Sequence, residues 1–440
     1  MAVRPRQMNL ALYNASGGLS VGSWRRAGST SERLLGLPLL AEIAQQCERA
    51  CMDALFLADN VSTGPSDFRQ ALNYPQEPMT ALGALSALTD RIGLIATGST
   101  TFTQPYNLAR YMASIDHLSG GRAGWNIVTS FLGADNFSAA AIDHDERYRM
   151  ADEYMAVVTQ LWDSWQDDAI VDDKSTGMWA DPARIHPIDF AGEYFTVRGP
   201  LNVPRPPQGW PVFAQAGSSA AGLAFASKWA DLIFTPQPAL EGAQRFYSDV
   251  KKRAVDAGRD PDAVRILPAL VVIIGDTETE AKRIAEELLD LIDFEAGRAD
   301  VQRFITPVDI SDLDLDEPIP AERLLPPEQV QAAQTRYRQI YDRAITGATV
   351  RELIRFKAGV SDALRLVGTA EQVADVMESF FTHGAADGFM FQPSYMPGGL
   401  DGITDRLIPV LRERGLFRTE YTGTTLRENL GLERPGAGAS

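Results

Sequence analysis

Eight short apolar stretches, each followed by a longer helical pattern, restrict the fold of this chain more than any other feature. No hairpin signal joins one of these stretches directly to the next. Strict alternation of strands and helices is typical of a parallel sheet with its helices outside, and eight repeats close a barrel. The predicted strands are Gln7–Tyr13, Ala54–Ala58, Ile92–Thr97, Ala123–Val128, Pro211–Ala216, Leu232–Thr235, Val264–Ile274 and Gly388–Gln392. The pattern therefore predicts an α/β fold, the TIM (β/α)8 barrel.

An open, doubly wound sheet is the competing architecture. A Gly-x-Gly-x-x-Gly turn after the first strand would favour it, and that turn is absent from this sequence. We expect one barrel domain over residues 1–440, with insertions at about 130–148, 167–203 and 294–367. Residues 167–203 have the pattern of an excursion that contains a small hairpin. Residues 294–367 are rich in acidic residues and prolines, which is typical of a mobile or partly helical cap rather than of barrel wall.

Charge and composition exclude several classes of partner. The net charge is −17, from 41 basic and 58 acidic residues, so nucleic acid and anionic membranes are unfavourable partners. No apolar run approaches the roughly 20 residues that cross a bilayer, and the apolar stretch near the start is too short for a signal peptide. We therefore expect a cytoplasmic protein. The four histidines and two cysteines show no metal-ligand spacing, so no metal site is predicted.

Small or polar residues follow several of the predicted strands, where the loops of a barrel build its active site. They are Asp59, Thr97, Asn126, Ser218 and Ser219. Each has an ordinary structural explanation as a helix cap or turn residue. The two serines precede a predicted helix over Ala220–Trp229, and the functional interpretation of GSSAAG is a phosphate site where free N–H groups and a partial positive charge favour anions. That stretch lacks the Gly-Lys-Ser/Thr ending of a nucleoside-triphosphate loop, so ATP and GTP are disfavoured.

Aromatic residues accompany these polar groups, and together they indicate a site for a flat, hydrogen-bonding ring that excludes water. Phe56, Trp125, Phe131 and Phe234 are the predicted walls of a substrate pocket. His144 and Tyr148 lie four residues apart and share a helix face. Either both donate to a ligand, or His144 is a surface residue and Tyr148 packs inward. His144 is the best candidate for a catalytic acid or base.

Several segments resemble one known family. EPMTALGALSALTDRIGLIATGSTTFTQPYNLARYMASIDHLSGGRAGWNIVTS, HDERYRMADEYMAVVTQLWDSW and GEYFTVRGPLNVPRPPQGWPVFAQAGSSAAG are similar to the nitrilotriacetate, dibenzothiophene-sulfone and pristinamycin monooxygenase branch of the luciferase-like superfamily. The resemblance implies a two-component oxygenase. A separate NAD(P)H:flavin reductase would supply reduced FMN, and reaction with O2 would give a C4a-(hydro)peroxide that oxygenates a small organic substrate. It also implies a homo-oligomer, dimer or tetramer.

The same resemblance implies roles for individual residues. Its FMN contacts would be Asp59, Thr97, Asn126, His144, Tyr148, Ser218 and Ser219. Of these, Tyr148 and the two serines would hold the phosphate, while Asp59, Thr97 and Asn126 would lie nearer the ring and ribityl chain. Relatives often carry a Gly-His pair in the first loop, but this chain reads NASGGLSVGSWRR, so a histidine that contacts substrate is missing. The aromatic walls favour an apolar or heteroaromatic substrate.

Two other functions are compatible with the sequence. A deazaflavin-dependent oxidoreductase on the same fold would transfer hydride without O2. A non-catalytic flavin-binding protein would keep the fold and lose the chemistry.

Overall fold

The computed structural model describes residues 6–62, 75–130, 133–138, 142–217, 219–327, 334–359 and 363–436. Two predicted site residues, Phe131 and Ser218, lie outside these ranges. Within them, no helix is both long and apolar enough to cross a membrane.

Thirteen strands occur in the described residues. In chain order they are β1 Asn9–Tyr13, β2 Ala54–Leu57, β3 Gly93–Ser99, β4 Ala123–Val128, β5 Ile170–Asp173, β6 Met178–Ala180, β7 Phe190–Ala191, β8 Thr196–Val197, β9 Val212–Gln215, β10 Leu232–Thr235, β11 Arg265–Ile274, β12 Leu364–Gly368 and β13 Gly388–Pro393. Nine of them form one parallel sheet in the order β10-β9-β4-β3-β2-β1-β13-β11-β12.

This sheet closes on itself, because β10 also pairs with β11. Eight strands therefore form a parallel barrel, and each of the eight corresponds to a strand predicted from the sequence. The TIM-barrel prediction is confirmed. The ninth strand, β12, pairs only with the last half of β11, from Leu270 to Ile274, and so extends the wall beyond the barrel rim.

Fourteen α-helices surround or cover the barrel in the described part of the chain. They are α1 Leu37–Arg49, α2 Pro78–Ser86, α3 Pro105–Ser119, α4 His144–Asp163, α5 Ala220–Trp229, α6 Leu240–Asp256, α7 Glu278–Asp290, α8 Phe294–Ile305, α9 Gln334–Ala344, α10 Val350–Gly359, α11 Ala370–Thr382, α12 Gly398–Asp401, α13 Ile408–Glu413 and α14 Leu426–Leu430. A π-helical stretch, Gly402–Leu407, joins α12 to α13.

The barrel interior is packed and sealed at its amino end. Alternate residues of each strand point inward, and these side chains form one buried apolar cluster that includes Ile95, Val212 and Leu267. Leu426 and Leu430 of α14 join the same cluster at the amino end of the barrel. A Cβ on Gly93 would come within 2.4 Å of the Leu426 side chain, so α14 packs closely against the start of β3. Ligand access is therefore confined to the carboxyl end.

Two segments lie outside the barrel repeat. Residues 167–203 contain two antiparallel hairpins, β5–β6 and β7–β8, where the sequence predicted one. Between β11 and β12, helices α8, α9 and α10 pack around their own buried cluster, which includes Val301, Ile340 and Leu353. We call these three helices the cap. The boundaries of the three insertions stay predictions.

Candidate active site

A cavity of about 540 Å³ lies at the carboxyl mouth of the barrel. Strand ends line its floor and side, the loop after β1 contributes Leu19, Ser20 and Val21, and the cap covers it. Most of the surface is apolar, with a few polar groups that converge on it. This composition is typical of a pocket for an organic ligand.

One row of side chains crosses five neighbouring strands and forms a wall of the cavity. Tyr13 pairs with Phe56, Gln392 pairs with Val271, and Val271 pairs with Arg365. Leu12 pairs with Phe391, which places Tyr13 beside Gln392. The five side chains of the row, Phe56, Tyr13, Gln392, Val271 and Arg365, all line the cavity.

The aromatic part of this wall is ordered by ring contacts. The Tyr13 and Phe56 rings are stacked with centroids 5.8 Å apart. Phe234 meets Phe56 edge-on at 4.9 Å, and both Phe56 and Phe234 line the cavity. Two of the predicted substrate-pocket residues therefore lie where a flat apolar ligand would contact them.

A polar pair stands in the wall formed by β3 and β4. The Thr97 hydroxyl donates to the Leu57 carbonyl at 3.0 Å and accepts from the Asn126 amide nitrogen at 2.9 Å. This arrangement uses the donor side of the Asn126 amide and leaves its oxygen, Oδ1, buried without a hydrogen-bond partner in the described residues. A buried unpaired acceptor is costly, so Asn126, which lines the cavity, presents a ready acceptor to a ligand N–H.

Another polar cluster lies at the N-terminal end of α5. Ser219 caps the helix, and its hydroxyl accepts from the Gly222 N–H at 3.1 Å. A Cβ on Gly222 or Gly217 would come within 2.8 or 2.9 Å of the Tyr148 hydroxyl oxygen, so that hydroxyl lies directly against the helix end. The hydroxyl and the helix end together suit an anion.

His144 lies with this cluster at the α5 end. Its ring is 5.1 Å from the Tyr148 ring, its Nδ1 is 2.8 Å from the Asp145 carboxylate, and its side chain is about half exposed. It is not among the described residues that line the cavity. The structure therefore places His144 near the polar cluster at the α5 end and gives no contact that supports a catalytic role.

Asp59 follows β2 and is exposed. Partial loss of water around its carboxyl raises its pKa, and the nearby Glu77 carboxylate adds to the effect, although the Asn60 N–H opposes it. Asp59 is not among the described cavity-lining residues either, so its predicted contact with a ligand stays a prediction.

Trp125 does not occupy the position predicted for it. Its indole N–H donates to the Gly98 carbonyl, and its ring packs against Tyr154 and Phe213 in the layer between barrel and helices. Successive strand residues point to opposite faces, so Trp125 faces outward because its neighbour Asn126 faces inward. Phe131 and Ser218, also predicted for the site, lie outside the described residues.

Sequence reasoning missed several residues of the cavity. Tyr13 could have been predicted from the sequence, because it ends the first strand at a position that the two-residue period of a strand places on the inward face. The cap residues Ile340, Ile354 and Phe356, and Arg365 on β12, show no such signal. They reach the site only through the tertiary packing of the cap.

A closed parallel barrel with an apolar cavity at its carboxyl mouth and a buried amide acceptor in the wall is the arrangement in which TIM-barrel enzymes build their active sites. The luciferase-like monooxygenase family model matches residues 20–387. The chain belongs to this family, and the predicted family, fold and enzyme class are confirmed.

Individual relatives agree over almost the whole chain. N-acetyl-S-(2-succino)cysteine monooxygenase of Bacillus subtilis (strain 168) is 43% identical over 439 residues, 99% of each chain. Nitrilotriacetate monooxygenase component A of Aminobacter aminovorans is 39% identical, over 98% of this chain and 97% of its own. The crystal structure of riboflavin lyase with modified FMN and riboflavin superposes with a TM-score of 0.85 at 32% identity, covering 98% of this chain and 97% of the other.

Proposed function

We propose that this protein uses reduced FMN, supplied by a separate flavin reductase, and O2 to oxygenate a small organic substrate with an apolar or heteroaromatic body. The single observation that supports this most strongly is the buried, unpaired Oδ1 of Asn126 in the wall of an otherwise apolar cavity. An isoalloxazine ring carries an N–H that would satisfy this acceptor.

The α5 end fits the phosphate of FMN. The Tyr148 hydroxyl and the Ser219 cap lie together at the N-terminal turn, where helix N–H groups attract anions. The protein's net charge of −17 does not attract a phosphate from a distance. Binding would therefore depend on these local, uncharged hydrogen-bond donors. His144 is a further proposed contact on this side, and Asp59 and Thr97 are the proposed contacts on the ring side; Ser218, outside the described residues, stays a predicted phosphate contact.

The protein's own part is to position the reactants and exclude water. When bound, reduced flavin supplies the electrons that activate O2. The stacked Tyr13 and Phe56 rings, Phe234 and the cap make the surroundings of the ring apolar, which protects reactive species from water. No histidine lines the cavity in the described residues, so positioning rather than proton transfer is the proposed contribution of the wall.

Two relatives support these choices. The riboflavin lyase structure contains a modified FMN, and the nitrilotriacetate enzyme is named as component A, which agrees with a separate reductase. A reductase that releases reduced FMN for this chain is thus part of the proposal, as is a dimer or tetramer of the chain itself.

Replacing Asn126 with leucine is expected to weaken reduced FMN binding about tenfold, since one hydrogen bond of the ring is lost. The effect on folding should be modest, because leucine keeps the number and branching of the side-chain heavy atoms and removes an unpaired buried acceptor, although it also removes the donor to Thr97. Anaerobic fluorescence titration measures the affinity and thermal unfolding measures the stability. Thr97→Val is the matched variant: it removes the hydroxyl that orients Asn126, together with that hydroxyl's own proposed contact, but keeps the Asn126 acceptor, so its effect on affinity should be smaller. An unchanged affinity in Asn126→Leu contradicts the ring contact.

The function is tested by turnover with a flavin reductase, FMN, NADH and isotopically labelled O2, using a panel of aromatic sulfides, sulfones, amines and cyclic imines together with carboxylic acids that carry the same apolar groups. Mass spectrometry should show one labelled oxygen in a product. Hydride transfer from a reduced deazaflavin without O2 consumption would instead identify the oxidoreductase alternative. Tight FMN binding without labelled product from any compound would favour a flavin-binding protein without catalysis.

A further inference from the structure

Arg365 is a cation in the cavity wall that nothing in the described structure neutralises by contact. It lies on β12, paired in register with Val271, and its side chain lines the cavity. It forms no side-chain hydrogen bond or ion pair within the described residues. Burial lowers the pKa of its guanidinium and the Glu286 carboxylate opposes that shift. An arginine stays charged in proteins, so the site holds a partly buried positive charge.

Glu286, the carboxylate that acts on Arg365, and Asp290 lie outside the described cavity lining and share one arginine, Arg355. Glu286 forms an ion pair with Arg355 at 3.0 Å, and Arg355 also binds Asp290 at 2.8 Å. The other two charged side chains that line the cavity, Asp300 and Lys357, form an ion pair with each other at 3.0 Å. Among the described residues that line the cavity, Arg365 is therefore the charged side chain without an ion-pair partner, in a protein whose net charge is −17.

The position of Arg365 points to the substrate rather than to the flavin phosphate. It belongs to the row that runs from Phe56 through Tyr13, Gln392 and Val271. Neighbouring strands lie about 4.8 Å apart, so Arg365 stands about 10 Å from Gln392 along the wall. The proposed phosphate cluster, at the end of α5, follows β9 elsewhere on the rim.

We propose that Arg365 binds a carboxylate of the substrate, and that the substrate is a small monoanionic acid whose apolar body lies against Tyr13, Phe56 and Val271. This inference rests on the proposed function, because it assumes that FMN occupies the other end of the same cavity. Guanidinium groups bind carboxylates through two parallel hydrogen bonds, which fixes the orientation of the acid as well as its affinity.

The charge count argues for one anionic group. A polycarboxylate would bring several charges into a cavity with mostly apolar walls and, among its described lining residues, one cation without an ion-pair partner, and the unpaired charges would lose their hydration without replacement. Arg365 thus selects an acid over a neutral analogue, while the apolar walls select against polyanions.

The test compares (benzylthio)acetate with its methyl ester, a pair that differs in charge and keeps the same apolar body. Calorimetric titrations use the full protein saturated with oxidised FMN, so that the phosphate cluster is occupied and the acid cannot bind there. The wild type should bind the acid at least about tenfold more tightly than the ester. Arg365→Met should abolish this preference, and Arg365→Lys should retain part of it.

Arg91→Met is the matched control. Arg91 is exposed just before β3, at the opposite end of the barrel, and its loss changes the net charge equally. It should leave the preference for the acid intact. A wild type that binds acid and ester equally overturns the proposal without any variant. An acid preference that survives in Arg365→Met also overturns it.

These outcomes are separate from the fate of the proposed function. If no compound yields labelled product but acid binding still depends on Arg365, the proposed chemistry fails and the anion site stands. If labelled product forms from neutral compounds and Arg365→Met leaves binding unchanged, the proposed function stands and the anion site fails.

Discussion

Gly222→Ala is expected to weaken FMN binding by about ten- to a hundredfold. A Cβ at this position would lie 2.8 Å from the Tyr148 hydroxyl oxygen and 3.2 Å from the Gly217 backbone. The hydroxyl is the group that can move, and its displacement would remove a donor from the phosphate. Hydrogen bonds to charged groups contribute about 1.5–3 kcal/mol, which corresponds to the expected loss. Fluorescence titration with FMN measures it.

Gly83→Ala provides a matched control, because Gly83 also lies inside a helix but has open space around it. It should leave FMN affinity unchanged and stabilise the protein slightly. The Tyr148→Phe background gives a sharper test. If Gly222 acts by making room for the hydroxyl, its replacement should cost much less affinity once that hydroxyl is gone. Equal losses in both backgrounds would contradict this explanation.

Asp53→Ala is expected to lower the free energy of unfolding by about 3–5 kcal/mol. Asp53 is 1% exposed at the amino end of the barrel. Its carboxylate accepts from the Leu10 N–H at 2.6 Å and from the Asn9 amide at 3.1 Å, and it forms a buried ion pair with Arg418. Alanine would leave all three donors without this partner. Urea unfolding measures the change.

The double variant Asp53→Ala/Arg418→Met should be more stable than Asp53→Ala alone, since it no longer buries an unpaired guanidinium. Glu413→Ala removes a carboxylate of the same charge from an exposed position of α13, and it should change stability by less than about 0.5 kcal/mol. If Asp53→Ala and Glu413→Ala lower the free energy of unfolding by similar amounts, the burial of the ion pair is not the cause of the loss.

The barrel was predictable because its signal is local and repeated. Each of the eight barrel strands is a short apolar run followed by a helical pattern, and α5 begins and ends as predicted. The position of Asn126 in the cavity wall was predictable because residues at the carboxyl ends of barrel strands reach the mouth whatever surrounds them.

The other features of the site depended on which face of a strand a residue occupies and on contacts between residues far apart in the chain. Trp125 and Asn126 are neighbours on β4, so the two-residue period of a strand already forbids both from lining one cavity. Strict use of that period would have removed Trp125 from the predicted pocket. The cap and β12 have no comparable rule. Arg365 reaches the cavity only because β12 pairs with the last half of β11, and the whole cap lies between these two strands in the chain, so no local pattern specifies their register.

A crystal structure of the FMN complex tests the central claim most directly. We expect the phosphate within hydrogen-bond distance of the Tyr148 hydroxyl and the N-terminal turn of α5, and the ring against Oδ1 of Asn126 at the barrel mouth. A phosphate bound instead at Arg365 or Lys357, or a ring remote from Asn126, would contradict both the proposed cofactor site and the substrate site built beside it.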